Sequence, residues 1–233
     1  MLDSSILIFS DMDWQAVWLS IKLALSTTLI LIPLGILIAR WLAWGRFRYR
    51  AFVEGLVMLP LVLPPTVLGF YLLAAFSQQG VLGHWFERWT GGSLAFSFTG
   101  LLIASLVFNL PFAVQPVHRA FEAISHEVRE AAWCCGMAPW SSFRRVELPL
   151  ARNGILGASL LTFAHTLGEF GVVLMVGGNI PGETRTLSIA IFDRVEAFDE
   201  RGAAIMSLSM LVFSLLIVAS VYALVGRAPA RRD

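Results

Sequence analysis

Long apolar segments alternate with short polar ones along this 233-residue chain. A bilayer core is about 30 Å thick, so a spanning helix needs about 20 apolar residues. Five segments reach that length, at 17–39, 55–76, 97–117, 153–176 and 204–226. The pattern predicts an all-α polytopic membrane protein, a single transmembrane domain over 1–233 with about five spans. We expect the first span to remain in the mature protein, because acidic residues rather than a basic segment precede it.

Composition supports the membrane class independently. Hydrophobic residues make up 57% of the chain and charged residues 14%, with a mean hydropathy of +0.74, far from the averages of soluble proteins. The net charge of +1 suggests no nucleic-acid partner. The only cysteines, Cys134 and Cys135, are adjacent, and we expect neither a disulfide nor a metal or cofactor site.

The arginines between the spans predict the orientation. Twelve lie on one side, at 40, 46, 48, 50, 119, 129, 144, 145, 152, 227, 231 and 232, and four on the other, at 88, 185, 194 and 201. Because cytosolic loops are enriched in basic residues, we expect an outer N-terminus, a cytosolic C-terminus and a cytosolic loop at 118–152.

Three spans carry residues that a simple lipid anchor does not need. In the second span, the prolines at 60, 64 and 65 must kink or break the helix. The third carries Ser105, Asn109 and Pro111, whose polar atoms need partners inside the bundle. In the fourth, Ala158, Thr162, His165 and Glu169 share one helical face. Each feature fits either helix packing or a translocation pathway. The pathway or gate candidates are Lys22, Pro64, Pro65, Thr66, Asn109, Thr162, His165 and Glu169.

Lys22 and Glu169 are ionisable residues at similar depths, about 8 and 10 Å below the outer boundary of their spans. Ionisable groups inside membranes usually pair, so one hypothesis is that these two meet, within one subunit or across a dimer. The alternatives are that Lys22 reaches the headgroups while Glu169 hydrogen-bonds locally, or that Lys22 attracts an anion at the outer mouth.

The polar loop contains Glu130-Ala131-Ala132, then Gly136, then Val146-Glu147-Leu148-Pro149. This spacing resembles the EAA loop of the membrane subunits of bacterial ABC importers, which docks on a separate ATPase. We expect a helix over Phe121–Trp133, a turn at Gly136 and a short coupling helix over Pro139–Phe143. Trp140 and Phe143 are its predicted apolar anchors, and Glu130 is predicted to hold Arg144 or Arg145. By resemblance, the coupling residues are Glu130, Ala131, Ala132, Gly136, Pro139, Trp140, Phe143, Arg144, Arg145, Leu148 and Pro149.

Three further stretches, at 59–70, 167–171 and 178–191, resemble the molybdate-type permeases in particular. The resemblance implies a type I (MetI-like) importer fold in a bacterial inner membrane, transporting a tetrahedral oxyanion, molybdate or tungstate. It also implies an ATPase dimer, a second copy of the chain and a periplasmic oxyanion-binding protein as partners. The alternatives are a permease for sulfate, thiosulfate or an unrelated solute such as an amino acid, and more remotely a secondary transporter or membrane enzyme. Because the sequence has no P-loop and no catalytic triad, we expect no enzymatic site.

Overall fold

The computed structural model describes residues 13–45 and 47–225, with side chains through 219. The described part of the chain is built from helices joined by short connections. Part of the predicted orientation rests on residues outside the described ranges, namely Arg46 and the arginines at 227, 231 and 232. Most of the N-terminal segment also lies outside them. The helices are α1 (Trp14–Trp44), α2 (Arg50–Val62), α3 (Pro65–Phe76), α4 (Val81–Thr90), α5 (Phe98–Glu122), α6 (His126–Cys134), α7 (Pro139–Ser142), a π-helical turn (Phe143–Glu147), α8 (Leu148–Leu167), α9 (Gly171–Gly177), α10 (Leu187–Glu196) and α11 (Glu200–Val225).

Three of these helices, α1, α5 and the described part of α11, are long and apolar enough to cross a membrane. Two bent helix pairs bring the number to five if each pair forms one span. The side chain of Asp13 caps α1 by accepting from the Ala16 N–H at 3.0 Å, which satisfies one of the free amides at the helix start. From there α1 continues five residues beyond the predicted end of the first span.

The second span is broken, as its prolines predict. Helix α2 ends at Val62, α3 begins at Pro65, and their axes differ in direction by 105°. Leu63 and Pro64 are extended, because a residue that precedes proline is disfavoured in the helical conformation.

The fourth span is not the continuous helix that the sequence predicts over 153–176. Helix α8 ends at Leu167, and α9 starts at Gly171 after a 59° bend. In the other direction, α8 continues back through the π-helical turn and α7 to Pro139. The polar loop and the fourth span are therefore parts of one helical segment.

Helices α1, α5 and α8 pack against one another at the centre of the fold. One hydrophobic core lies at the end nearest the polar loop and includes Leu42, Val117, Phe121 and Phe143. A second core at the opposite end joins α3, α5 and α9 through Leu68, Phe108 and Val172, with others. The central packing leaves little room between α5 and α8, since a Cβ added to Gly154 would lie 2.4 Å from the Ala120 Cβ.

Candidate functional site

The polar loop folds as a helical hairpin whose turn lies at Gly136. Gly136 has φ of +75°, a left-handed conformation that favours glycine. Two hydrogen bonds close the turn, from the Gly136 N–H to the Trp133 carbonyl at 2.9 Å and from the Met137 N–H to the Ala132 carbonyl at 3.1 Å. The predicted turn is confirmed.

Both predicted helices of the hairpin have different bounds in the structure. The helix expected over Phe121–Trp133 is divided, because Ser125 has extended backbone between α5 and α6. The coupling helix begins at Pro139 as predicted, but it does not stop at Phe143. The Phe143–Glu147 turn is π-helical, a rare form that is frequently found at functional sites.

Exposure separates the predicted coupling residues into two groups. Trp140 is 63% exposed, and Arg144 and Arg145 are also exposed, so all three are available to a partner. Phe143 is 5% exposed and belongs to the core at this end of the fold. Its predicted role as an exposed anchor is therefore wrong. Of the remaining predicted residues, the exposed ones are Glu130, Ala131, Gly136, Pro139 and Pro149, while Ala132 is buried and Leu148 half-buried.

The predicted contact of Glu130 with Arg144 or Arg145 is also wrong. Glu130 is exposed and faces His126, with 3.6 Å between Oε1 and the His Nδ1. Both residues lie on α6 and are separated by one helical turn, so this pair cannot set the angle between the two helices of the hairpin.

A buried carboxylate that the sequence reasoning missed ties the hairpin to the first span. Glu147 is 1% exposed, and its oxygens accept from Arg40 Nε at 2.7 Å and Nη2 at 3.4 Å. Arg129 Nε lies 3.5 Å from Oε1 of the same carboxylate. This cluster, which we call the Glu147 clasp, joins α1, α6 and the π-helical turn. An acidic residue between two apolar ones in the Val146–Pro149 motif was the available signal.

A second polar cluster lies where α8 and α9 separate. Glu169 is buried, and its Oε2 accepts from Ser105 Oγ at 3.0 Å and Asn109 Nδ2 at 3.2 Å. Asn109 Oδ1 lies 2.9 Å from His165 Nδ1. We call these four residues the Glu169 cluster. Thr162 is buried one turn below His165 and has no hydrogen-bond partner for its hydroxyl among the described residues.

This geometry corrects one expectation and one arm of a hypothesis, the pairing of Glu169 with Lys22 within one subunit; pairing across a dimer stays a prediction. Glu169 lies in the break after α8 rather than on the helical face of Ala158, Thr162 and His165. It also does not pair with Lys22 within the described part of the chain. The ammonium of Lys22 lies 4.1 Å from the centre of the Phe98 ring, while Glu169 is hydrogen-bonded to α5.

The breaks in the two bent spans meet each other. A Cβ added to Gly171, at the start of α9, would lie 2.9 Å from the Cβ of Pro65, at the start of α3. Pro64, Pro65 and Thr66 are exposed in the isolated chain. In membrane proteins, interrupted helices of this kind are tolerated where they are buried in protein or line a cavity, and in transporters they often form the substrate site.

The family model described as "Binding-protein-dependent transport system inner membrane component" matches residues 31–229. The chain belongs to this family. The permease is 46% identical to "Molybdenum transport system permease protein ModB" of Azotobacter vinelandii, over 91% of this chain and 94% of that protein. It is 37% identical to the protein of the same name from Escherichia coli (strain K12), with the same coverage. It is 36% identical to "Probable sulfate transport system permease protein cysT" of Zygnema circumcarinatum, over 79% of this chain and 65% of that protein.

Solved structures share the fold of this permease. A bacterial ABC transporter involved in the import of alginate matches with a TM-score of 0.75 at 17% identity, over 93% of this chain and 79% of that one. An amino acid ABC transporter with histidines matches with a TM-score of 0.65 at 16% identity, over 97% of this chain and 96% of that one. The predicted all-α importer fold is thereby confirmed, and the permease is a multi-pass membrane protein.

Proposed function

We propose that this permease is the membrane subunit of an ATP-driven importer for a tetrahedral oxyanion, molybdate or tungstate, in a bacterial inner membrane. The proposal is supported by the two relatives named as molybdenum permeases, which it matches over nearly their whole length. The stretches 59–70 and 167–171, which carry the resemblance to molybdate-type permeases, contain both helix breaks.

One observation carries the coupling mechanism. A single helical segment starts at Pro139 in the hairpin and ends at Leu167, beside the Glu169 cluster. Trp140 and Arg144 are exposed at its first turns, where a separate ATPase dimer docks in our proposal. When ATP closes that dimer, the segment moves as a lever and displaces the break at its far end.

We assign the Glu169 cluster to the gate rather than to substrate binding. A doubly charged oxyanion is repelled by a carboxylate, and Glu169 is turned toward Ser105 and Asn109 on α5. Its hydrogen bonds instead hold α9 against α5 in one of the two access states. Lys22 lies on α1, near the outer end of the first span in the proposed orientation, and in our proposal it attracts the anion at the outer mouth.

The assembly we propose contains two copies of the permease, two ATPase subunits and an outer binding protein. The N-terminus and the 77–96 and 177–203 connections face outward, and the hairpin faces the cytosol. Exposed apolar side chains along the long helices, such as Leu29 and Leu215, then face lipid or the second copy.

The function is tested by uptake in cells. Deletion of this gene should abolish accumulation of labelled molybdate at low external concentration, and the same loss should follow inactivation of the P-loop lysine of the partner ATPase. Normal ATP-dependent molybdate uptake in the deletion strain would contradict the proposal.

Sulfate is the second candidate, favoured by the 36% identity to a probable sulfate permease. The two substrates share tetrahedral shape and charge, so the permease fold alone does not separate them. A competition experiment separates the two substrates. If sulfate is the substrate, a modest excess of sulfate will suppress molybdate uptake in wild-type cells, and sulfate accumulation will fall in the deletion strain.

A further inference from the structure

A cavity of ≈ 660 Å³ opens beside the hairpin, where α1 and α5 end and α6 begins. In the proposed orientation it lies at the cytosolic boundary of the membrane. Its walls include Ala43, Trp44, Arg50, Ser125, Arg129 and Trp133. No role for this cavity follows from the proposed transport mechanism, in which substrate passes along the broken spans.

The charges around the cavity do not balance. In the Glu147 clasp, Arg40 and Arg129 share a single carboxylate, which leaves one positive charge in excess. The neighbouring Arg50 brings no further imbalance, because Arg50 and Arg119 together are matched by Glu54 and Glu122. A buried positive charge without a matching negative one is costly, so this corner of the fold favours an added anion.

Arg129 is the cation with hydrogen-bonding capacity left over. It is 8% exposed and lies between two tryptophans, its guanidinium carbon 3.8 Å from the centre of the Trp44 ring and 5.0 Å from that of Trp133. Its Nε has no hydrogen-bond partner among the described residues, since the Glu147 contact at 3.5 Å does not meet hydrogen-bond geometry. Buried guanidinium donors are normally satisfied. Nε is enclosed beside Glu147, but the Arg129 side chain is part of the cavity wall.

The start of α6 adds further donors. Ser125, the N-cap residue, lines the cavity, and its side chain makes no capping hydrogen bond. The first amides of a helix have no partner within the helix and favour anions. Two carboxylates oppose an anion. Glu127 in the same turn is not among the residues that line the cavity, and Glu122 lines it but is paired with Arg50 and Arg119.

We propose that this cavity binds a tetrahedral phosphate-like oxyanion, held by Arg129 and the first amides of α6. The anion has two possible sources, the headgroup phosphate of an anionic lipid in the cytosolic leaflet and a free oxyanion in the cytosol. In both cases the bound anion neutralises the Glu147 clasp and steadies the hairpin that carries the coupling helix.

The sharpest test compares Ser125→Asp with Ser125→Asn in the purified permease. Asp and Asn are equally good N-cap residues, so both variants should fold, and they differ only in the charge that they place in the cavity. Binding of dioleoyl-phosphatidylglycerol is measured by native mass spectrometry, with phosphatidylcholine as the neutral lipid. Binding of inorganic phosphate is measured by equilibrium dialysis. Neither measurement depends on transport, so failure here is distinguishable from failure of the proposed function.

We expect wild type and Ser125→Asn to bind one anion per chain, and Ser125→Asp to bind it at least about tenfold more weakly, because like charges repel. Arg129→Gln should show the same loss, while Arg152→Gln, which removes an exposed arginine elsewhere on α8, should bind normally. Selective retention of phosphatidylglycerol identifies a lipid site, and saturable phosphate binding identifies a free-anion site. Equal binding by the Asp and Asn variants, or no saturable binding of either anion by wild type, would overturn the proposal.

Discussion

Replacing Glu147 by Gln should destabilise the permease and uncouple it from its ATPase. The substitution keeps the size of the side chain but removes the only negative charge of the clasp. The oxygen of the introduced amide can accept one hydrogen bond from Arg40, but the amide nitrogen then faces another donor on Arg129. Both arginines then lose the carboxylate that they share at the junction of the hairpin and α1.

The size of the expected loss of stability follows from the burial of the two arginines. Breaking a buried ion pair by removing one partner costs about 3 to 5 kcal/mol. The Arg40 side chain is 32% exposed, whereas that of Arg129 is 9% exposed, so water screens one of the two contacts. We therefore expect about 3 kcal/mol, at the lower end of that range.

Two measurements on the purified permease and its reconstituted complex check this. The free energy of unfolding in detergent should fall by about 3 kcal/mol, and the number of substrate ions transported per ATP should drop. Glu130→Gln is the matched control: that carboxylate is 63% exposed, so its loss should change stability by no more than about 0.5 kcal/mol. If Glu147→Gln is as stable as the control and transports normally, the clasp does not hold the hairpin.

Three further predictions follow from the hairpin and its orientation. Gly136→Leu costs roughly 1 to 2 kcal/mol in the left-handed turn, so it should leave membrane insertion intact but abolish substrate-stimulated ATP hydrolysis; normal stimulation would contradict this. Phe143→Ala should lower the free energy of unfolding by about 3 to 5 kcal/mol because it empties a core position. Trp140→Ala should leave that stability unchanged and weaken ATPase binding in a pull-down. Equal effects of the two substitutions on stability would refute the assigned burial. In spheroplasts, a cysteine at Ser93 should react with an impermeant thiol reagent while the two native cysteines do not, and labelling of the native pair from outside would reverse the proposed topology.

Features that depend on local backbone chemistry could be predicted from the sequence. The turn at Gly136 and the break at Pro64 and Pro65 follow from the allowed dihedral angles of glycine and proline. Proline does not decide the break alone, however, since the prolines at 33, 60, 111 and 116 lie inside continuous helices.

Features that depend on contacts between distant segments could not be predicted from the sequence. The stretch before Glu169 has the periodicity of a continuous helix, yet the helix ends at Leu167 and the carboxylate is hydrogen-bonded to Ser105 and Asn109 on another helix. Phe143 is buried because the hairpin packs on the ends of α1 and α5. Glu147 is paired with a residue 107 positions away, a contact that no local pattern indicates.

The account is tested most directly by reconstituting the permease with its ATPase and binding protein in liposomes and measuring uptake of labelled molybdate. We predict uptake that requires ATP and all three components and that persists in a large excess of sulfate or histidine. Uptake of molybdate without the ATPase, or complete suppression by that excess of sulfate, would contradict the account.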